Sequence, residues 1–417
     1  MRKVLISGMI GNGLEWYDFA VYAYMSLIIS TLFFPAGDAD VHLLATFGIY
    51  AVGFVARPFG GILFGRLGDR IGRRKTLMIS IFMMAIPTGC IGLLPTYAQI
   101  GIYAPMLLTL LRLLQGLALG GAFSGCITFM VEHAPQARRG LIGSTTISSL
   151  VIGFLLGAIM ASLVKLPMSQ MQYESWGWRI PFLLGVPIGF IGFYIRHHCD
   201  ESPVYVAAKQ CGGLSKTPVR DTLVQEWMHV LQALGIYLTV TMPFYLLTAY
   251  LLTFCQKYLK TAPQDALTIN MAVMLVLFFV APFSAWLTDH IGRKKVLMFG
   301  ALAFFICIYP VFSLMLQGDF WSVLWAQMAF AALVGLYTGP VPTVLVEIFP
   351  TRVRYTGMAI AYNISAAVFG GTTPMICQWL MDNTHNPYTM PYYVMIMAAV
   401  SLVTLCFYRE RYQDKLA

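Results

Sequence analysis

Charge is scarce in this chain. Asp, Glu, Lys and Arg make up 11% of the 417 residues, 18 acids against 27 bases, while 58% are hydrophobic and the mean hydropathy is +0.72. Soluble domains carry about 25% charged residues, so a water-soluble globule is excluded. The eight cysteines contain no CxxC pair, and Cys90, Cys126, Cys255, Cys307, Cys377 and Cys406 fall in apolar runs, so no disulfide framework is implied. His197-His198-Cys199 with Cys211 has metal-ligand residue types but no compact zinc spacing. It reads as a cationic membrane-edge segment, and no metal or organic cofactor is expected. No nucleophile and base converge at one face, which argues against an enzyme. The longest loop, near 196–225, is too short for a soluble signalling domain. That argues against a non-transporting membrane sensor, the alternative of another class.

Long apolar runs are what the chain has instead. Segments of about 20 apolar residues, the length that spans a bilayer, fall near 5–34, 42–66, 75–96, 102–132, 138–164, 178–197, 226–256, 263–289, 294–316, 319–348, 353–382 and 387–409. The fold class expected is all-α integral membrane, twelve helices in two pseudo-symmetric bundles: 1–197, a central loop at 198–225, and 226–417. MRKVLISG resembles the start of a signal peptide, but Glu15 and Asp18 interrupt the run behind it, so it reads as the first span. Most cations cluster on alternate loops: Arg2 and Lys3; Arg66, Arg70, Arg73, Arg74 and Lys75; Arg138 and Arg139; Arg196, Lys209, Lys216 and Arg220; Arg293, Lys294 and Lys295; Arg352 and Arg354; Arg409, Arg411 and Lys415. The opposite side holds Lys165, Lys257 and Lys260. Both termini are therefore expected to be cytoplasmic, and the net charge of +9 needs no nucleic acid to explain it.

One charged phrase occurs twice. GRLGDRIGRRK (Gly65 to Lys75) returns half a chain later as AWLTDHIGRKK (Ala285 to Lys295), and VEHAPQARRG (from Val131) returns as VEIFPTRVRYTG (from Val346). Internal repetition with charges between apolar runs is how a two-bundle membrane transporter is built. A positive-inside anchor explains the cations but not an acid in the same place in both halves. Asp69, just after the second span, is expected to face the N-terminus of the eleventh, and Asp289 that of the fifth, where the helix dipole favours an anion. Asp289 has Ala285 and Thr288 where the first copy has Gly65 and Gly68, and is expected to be held more weakly. Glu132 and Glu347 end helices, where the dipole disfavours them, so they need cations from nearby. Asp69, Arg70, Arg73, Glu132, Arg139, Asp289, Arg293, Glu347 and Arg354 are the candidate cytoplasmic gate.

A second set of charges lies inside the spans. At about 1.5 Å per residue, Glu15 and Asp18 sit near mid-membrane, and Asn12, Glu15, Asp18 and Tyr22 share a helix face. Intramembrane acids are costly and mark a pathway; the plainer alternative is a structural ion pair with Arg57, at similar depth. Arg112 lies in the fourth span with Gln115 one turn on, and the matching position in the other half is Gln327. The second half offers only polar residues, among them Gln232, Tyr237, Thr241, Tyr245, Asn270 and Asn363. Ion handling is thus expected of the first half.

GNGLEWYDFAVYAY, ARPFGGILFGRLGDRIGRR, RLLQGLALGGAFSG, WGWRIPF, DESPVY and YNISAAVFGG, with both loop copies, resemble the major facilitator superfamily, and more narrowly its metabolite:proton symporters. Relatives often carry a Glu soon after the paired glycines of the fourth span; here Ala122 follows Gly121. The resemblance implies secondary active transport in a bacterial inner membrane, with the proton as coupling ion and a monomer sufficient. The candidate proton and substrate residues are Glu15, Asp18, Tyr22, Arg57, Arg112, Gln115, Tyr245 and Asn363. The expected substrate is a small zwitterion of the proline/betaine type, its carboxylate on Arg112 and its cationic head on the acids and aromatics. The alternative is an organic acid such as citrate, oxoglutarate or shikimate, held by Arg112 and Arg57 together.

Overall fold

The computed structural model describes residues 2–34 and 39–416; Met1, residues 35–38 and Ala417 lie outside. The described residues form helices and connecting turns without strands. The spans are α1 (Arg2–Tyr24, continued by Ser26–Phe33), α2 (Ala39–Ile71), α3 (Arg73–Leu93), α4 (Tyr103–His133), α5 (Arg139–Lys165), α6 (Ile180–His197), α7 (Trp227–Tyr245, continued to Lys257), α8 (Pro263–Ile291), α9 (Arg293–Met315), α10 (Phe320–Thr338 and Val341–Ile348), α11 (Arg354–Ser365 and Thr373–Thr384) and α12 (Thr389–Phe407). Among the described residues, nine helices are long and apolar enough to cross a membrane. α1, which carries Glu15 and Asp18, α2 and the interrupted α11 complete the twelve.

Five helices depart from the predicted spans. α1 pauses at Met25, though the bonds Met25 N to Val21 O and Ile29 N to Met25 O, both 2.9 Å, bridge the pause. α10 breaks at Gly339-Pro340, because proline has no N–H to continue the ladder. α7 and α11 each contain a π turn, at Leu246–Tyr250 and Ala366–Gly370, an irregularity that hydropathy does not register. α2 runs to Ile71, so Asp69 lies in its last turn rather than beyond it. The reversals into α3 and α9 fall on Gly72 (φ 108°) and Gly292 (φ 99°), backbone conformations that a side chain would strain.

The chain divides into two compact units. Unit one is Met1–His133, Ser149–Val219 and Thr351–Ile360; unit two is Ala134–Ser148, Arg220–Pro350 and Ala361–Ala417. The first turns of α5 and α11 therefore each belong with the unit opposite in sequence. Within unit one, α2 and α4 meet backbone to backbone: a Cβ on Gly116 would collide with Gly53 O, and one on Gly120 with Arg57 O. Small residues permit such contact between membrane helices.

Candidate functional site

Unit one buries a cluster of charges around α1. Asp18 Oδ2 accepts a hydrogen bond from Gln115 Nε2 (2.7 Å) and lies 3.7 Å from Arg112 Nη1. Gln115 Nε2 also donates to Thr88 Oγ1 at 2.8 Å, tying α3 and α4 to the acid. The Arg112 guanidinium stands 3.6 Å from the centroid of the Tyr22 ring, in cation–π range. Asp18, Tyr22, Arg112 and Gln115 are thus one constellation. Glu15, one turn earlier, faces α6 instead, with Oε1 3.9 Å from Arg196 Nη1. Asn12 donates to Ser149 Oγ on α5 (2.8 Å), so the shared face fans out to several helices.

Arg57 has its guanidinium 5.4 Å from the Phe54 ring one turn back on α2. One expectation is corrected here. Arg196, counted among the loop cations, is 2% exposed inside α6 and donates to Leu77 O at 3.0 Å. Sequence reasoning missed it because it ends an apolar run beside two histidines; the length of α6 was the available signal.

In unit two, Asn363 is fully buried on α11. Tyr245 precedes the π turn of α7, with its ring where a Cβ on Gly370, in the π turn of α11, would clash at 2.6 Å. Thr241 and Ser365 share a hydrogen bond of 2.9 Å, and Tyr237 meets Tyr362 edge to face. Gln327 Nε2 donates to Cys255 Sγ at 3.1 Å. Gln232, which bonds Phe407 O at the end of α12, stands apart from this group.

The repeated loops build two charged clusters. In unit one, Asp69 accepts bonds from Tyr355 N (3.2 Å), Thr356 N (2.9 Å) and Thr356 Oγ1 (2.7 Å) at the first turn of α11. Arg73 bridges Asp69 and Glu132, at 3.2 Å to each, and Arg354 reaches Glu132 at 2.9 Å. Ser202 also donates to Glu132, and the Glu201 carboxylate caps Arg73 N and Arg74 N. The Tyr205 ring lies 4.6 Å from the Arg73 guanidinium; burial pushes its hydroxyl above the usual phenol range, which Arg73 opposes. In unit two, Asp289 accepts from Gly140 N (2.8 Å) and Leu141 N (2.9 Å) at the start of α5, and Arg293 bridges Asp289 (2.7 Å) and Glu347 (3.2 Å).

Two residues of the candidate gate take a lesser part. Arg70 has an exposed side chain, and its carbonyl accepts from Tyr205. Arg139 donates to Asp414 O at 2.7 Å, where the segment after α12 folds back over the start of α5, and stays within electrostatic reach of Glu347 and Asp289 without a direct ion pair. The caps Glu201 and, in unit two, Glu410 on Arg293 N (3.1 Å) and Lys294 N (2.7 Å) lie beyond the repeated phrase, where the repeat alone does not point.

Twelve spans from two related halves, with acids and cations buried in the first and helix-end clusters repeated in both, define a multi-pass membrane transporter rather than an enzyme. The family described as sugar (and other) transporter matches residues 4–259 and 221–416, and the chain belongs to it, within the major facilitator superfamily. It is 34% identical over 419 residues to the glycine betaine/proline/ectoine/pipecolic acid transporter OusA of Dickeya dadantii, covering 98% of this chain and 83% of that one. It is also 34% identical over 413 residues to the proline/betaine transporter of Escherichia coli, covering 97% and 82%. Among solved structures it resembles the proton:xylose symporter XylE bound to 6-bromo-6-deoxy-D-glucose, with a TM-score of 0.83 at 18% identity over 99% and 97% of the two chains. A D-xylose-proton symporter matches with a TM-score of 0.68 at 20% identity over 97% and 96%. These structures share the fold.

Proposed function

We propose that this chain is a proton-coupled symporter of a small zwitterion of the proline/betaine type, working by alternating access in a bacterial cytoplasmic membrane, with both termini cytoplasmic and a monomer sufficient. The observation that carries this reading is Arg112, a buried cation set between a carboxylate and an aromatic face. A zwitterion carries the complementary pair: once a proton neutralises Asp18, the substrate's carboxylate takes Arg112, and its cationic head is offered the Tyr22 ring. Proton and substrate then bind together through one ion pair, the minimum a symporter needs. The names of the relatives favour the same substrate class. Tyr245 and Asn363 are assigned hydrogen bonds and an aromatic wall for substrate, and the proton is the sole coupling ion, with no further cofactor. Asp69, Arg73, Glu132 and Arg354, with Asp289, Arg293 and Glu347, are assigned the cytoplasmic latch, formed while that side is shut and parted when it opens.

Uptake by purified protein in proteoliposomes tests this. Labelled proline and betaine are expected to accumulate under an inward proton gradient without sodium, and citrate, oxoglutarate and shikimate are not. Sodium-dependent uptake insensitive to a protonophore would overturn proton coupling. Asp18→Asn is expected to abolish accumulation while leaving exchange across the membrane partly intact, since the amide mimics the protonated acid.

A further inference from the structure

Glu15 and Asp18 both line a cavity of about 20 Å³ within unit one, walled by α1, α3 and α6 through Leu14, Met84, Thr88 and Gly189. That is room for one water molecule. The two acids are equipped differently. Asp18 Oδ2 has Gln115 as donor and Arg112 beside it, while its Oδ1 has no hydrogen-bond donor among the described residues. Glu15 has none at either oxygen, although it is 2% exposed. Its nearest cation, Arg196, stands 3.9 Å away with Nη1 donating to Leu77 O. The neighbouring Tyr17 hydroxyl is engaged with Pro181 O, and the Thr88 hydroxyl with Met84 O. A buried carboxylate without donors costs several kcal/mol, whereas a carboxylic acid has only one proton to donate, and the cavity stands beside it.

We infer that Glu15 holds the proton in reserve and delivers it to Asp18 through a single water bound in this cavity, inside the first unit. The inference rests on the proton-coupled reading above. In the step, the Glu15 O–H bond breaks as its proton joins the water oxygen, and a water O–H bond breaks as its proton passes to Asp18 Oδ1. The water is regenerated, Glu15 is left as a carboxylate beside Arg196, and neutral Asp18 releases Arg112 to the substrate. Glu15 is thereby a proton-relay residue that need not touch the substrate.

Infrared difference spectra of the lipid-reconstituted protein between neutral and alkaline pH test the store directly. The C=O stretch of a protonated carboxyl group is expected in the wild type and in Asp18→Asn, and is expected to vanish in Glu15→Gln. A band that survives Glu15→Gln, or is missing from the wild type, overturns the inference. The relay is tested by Met84→Phe, which fills the cavity and keeps both acids, with Met84→Leu as the size control. Proton-driven accumulation should slow by about tenfold or more in Met84→Phe while counterflow exchange persists; accumulation at the wild-type rate overturns the water step. Absence of counterflow in the wild type would instead reject the zwitterion reading, and the infrared band would still decide where the proton resides.

Discussion

The two charged clusters are copies of one phrase, yet they close differently. In the first, Glu132 is gripped by Arg73 and Arg354 and by the Ser202 hydroxyl. In the second, Glu347 has Arg293 in the matching place, but Arg139, which the repeat aligns with Arg354, donates to Asp414 O. The close approach of helices is also inverted. In unit one the glycine is on α2, where a Cβ on Gly65 would meet Thr356 Cα at 2.8 Å; in unit two α8 carries Ala285 and the glycine is on α5, where a Cβ on Gly140 would meet Ala285 O at 2.5 Å. What the fold needs is the missing Cβ, and either helix of the pair can omit it. Loss of Gly65 therefore does not cost Asp289 the close approach; the clusters differ instead in their second arginine, which bonds Glu132 directly in the first and acts on Glu347 only through space in the second.

The largest effect expected is that of Arg73→Ala, which leaves Asp69 and Glu132 buried together without their shared cation. Removing one partner of a buried ionic set costs about 3–5 kcal/mol, so thermal unfolding in detergent should fall by many degrees, further than for Arg293→Ala. Equal losses would erase the comparison. Next, Arg354→Ala should cost more than Arg139→Ala, since both lose a charge-assisted bond of about 1.5–3 kcal/mol but Arg354 meets a buried carboxylate and Arg139 a backbone carbonyl. Unfolding midpoints of the two variants side by side decide it, and a larger loss for Arg139→Ala would reverse the ranking.

Asp69→Asn comes third. It removes an anion from a helix N-terminus, an interaction of about 0.3–1 kcal/mol that rises to roughly 2 when partly buried, and about 1.4 kcal/mol changes a two-state ratio tenfold. Cytoplasmic labelling of single cysteine probes on a cysteine-free background should rise, and rise less in Asp289→Asn. Unchanged labelling in Asp69→Asn at normal expression would reduce the motif to a topology anchor. The smallest effect is expected of Ala285→Gly, which should shift stability by less than about 1 kcal/mol, the helix cost of glycine, because Gly140 already provides the approach.

Much of this is legible in the amino-acid sequence. The twelve spans follow from apolar runs whose length the bilayer dictates, and the repeat points Asp69 toward α11 and Asp289 toward α5. The reversals themselves fall on Gly72 and Gly292, the single residues between helices, at positive φ. The partners of the interior charges are not legible. Glu15 can be placed near mid-membrane by counting along α1, but its neighbour Arg196 is 181 positions away and reads as one more loop cation. The π turns beside Tyr245 and Asn363 are equally invisible, because they shift hydrogen bonds without altering hydropathy.

Sequence by itself determined the quantities that accumulate along the chain: hydrophobic length, the side on which cations gather, and the repetition of a motif. Each sums over neighbouring residues, so tertiary contacts do little to change it. Tertiary structure alone decided which cation answers which acid, which of two matching arginines crosses to a glutamate, and that two carboxylates share a water-sized space. Those choices depend on side chains more than a hundred residues apart meeting to within an ångström or two, and on which helix omits the Cβ that would have kept them apart.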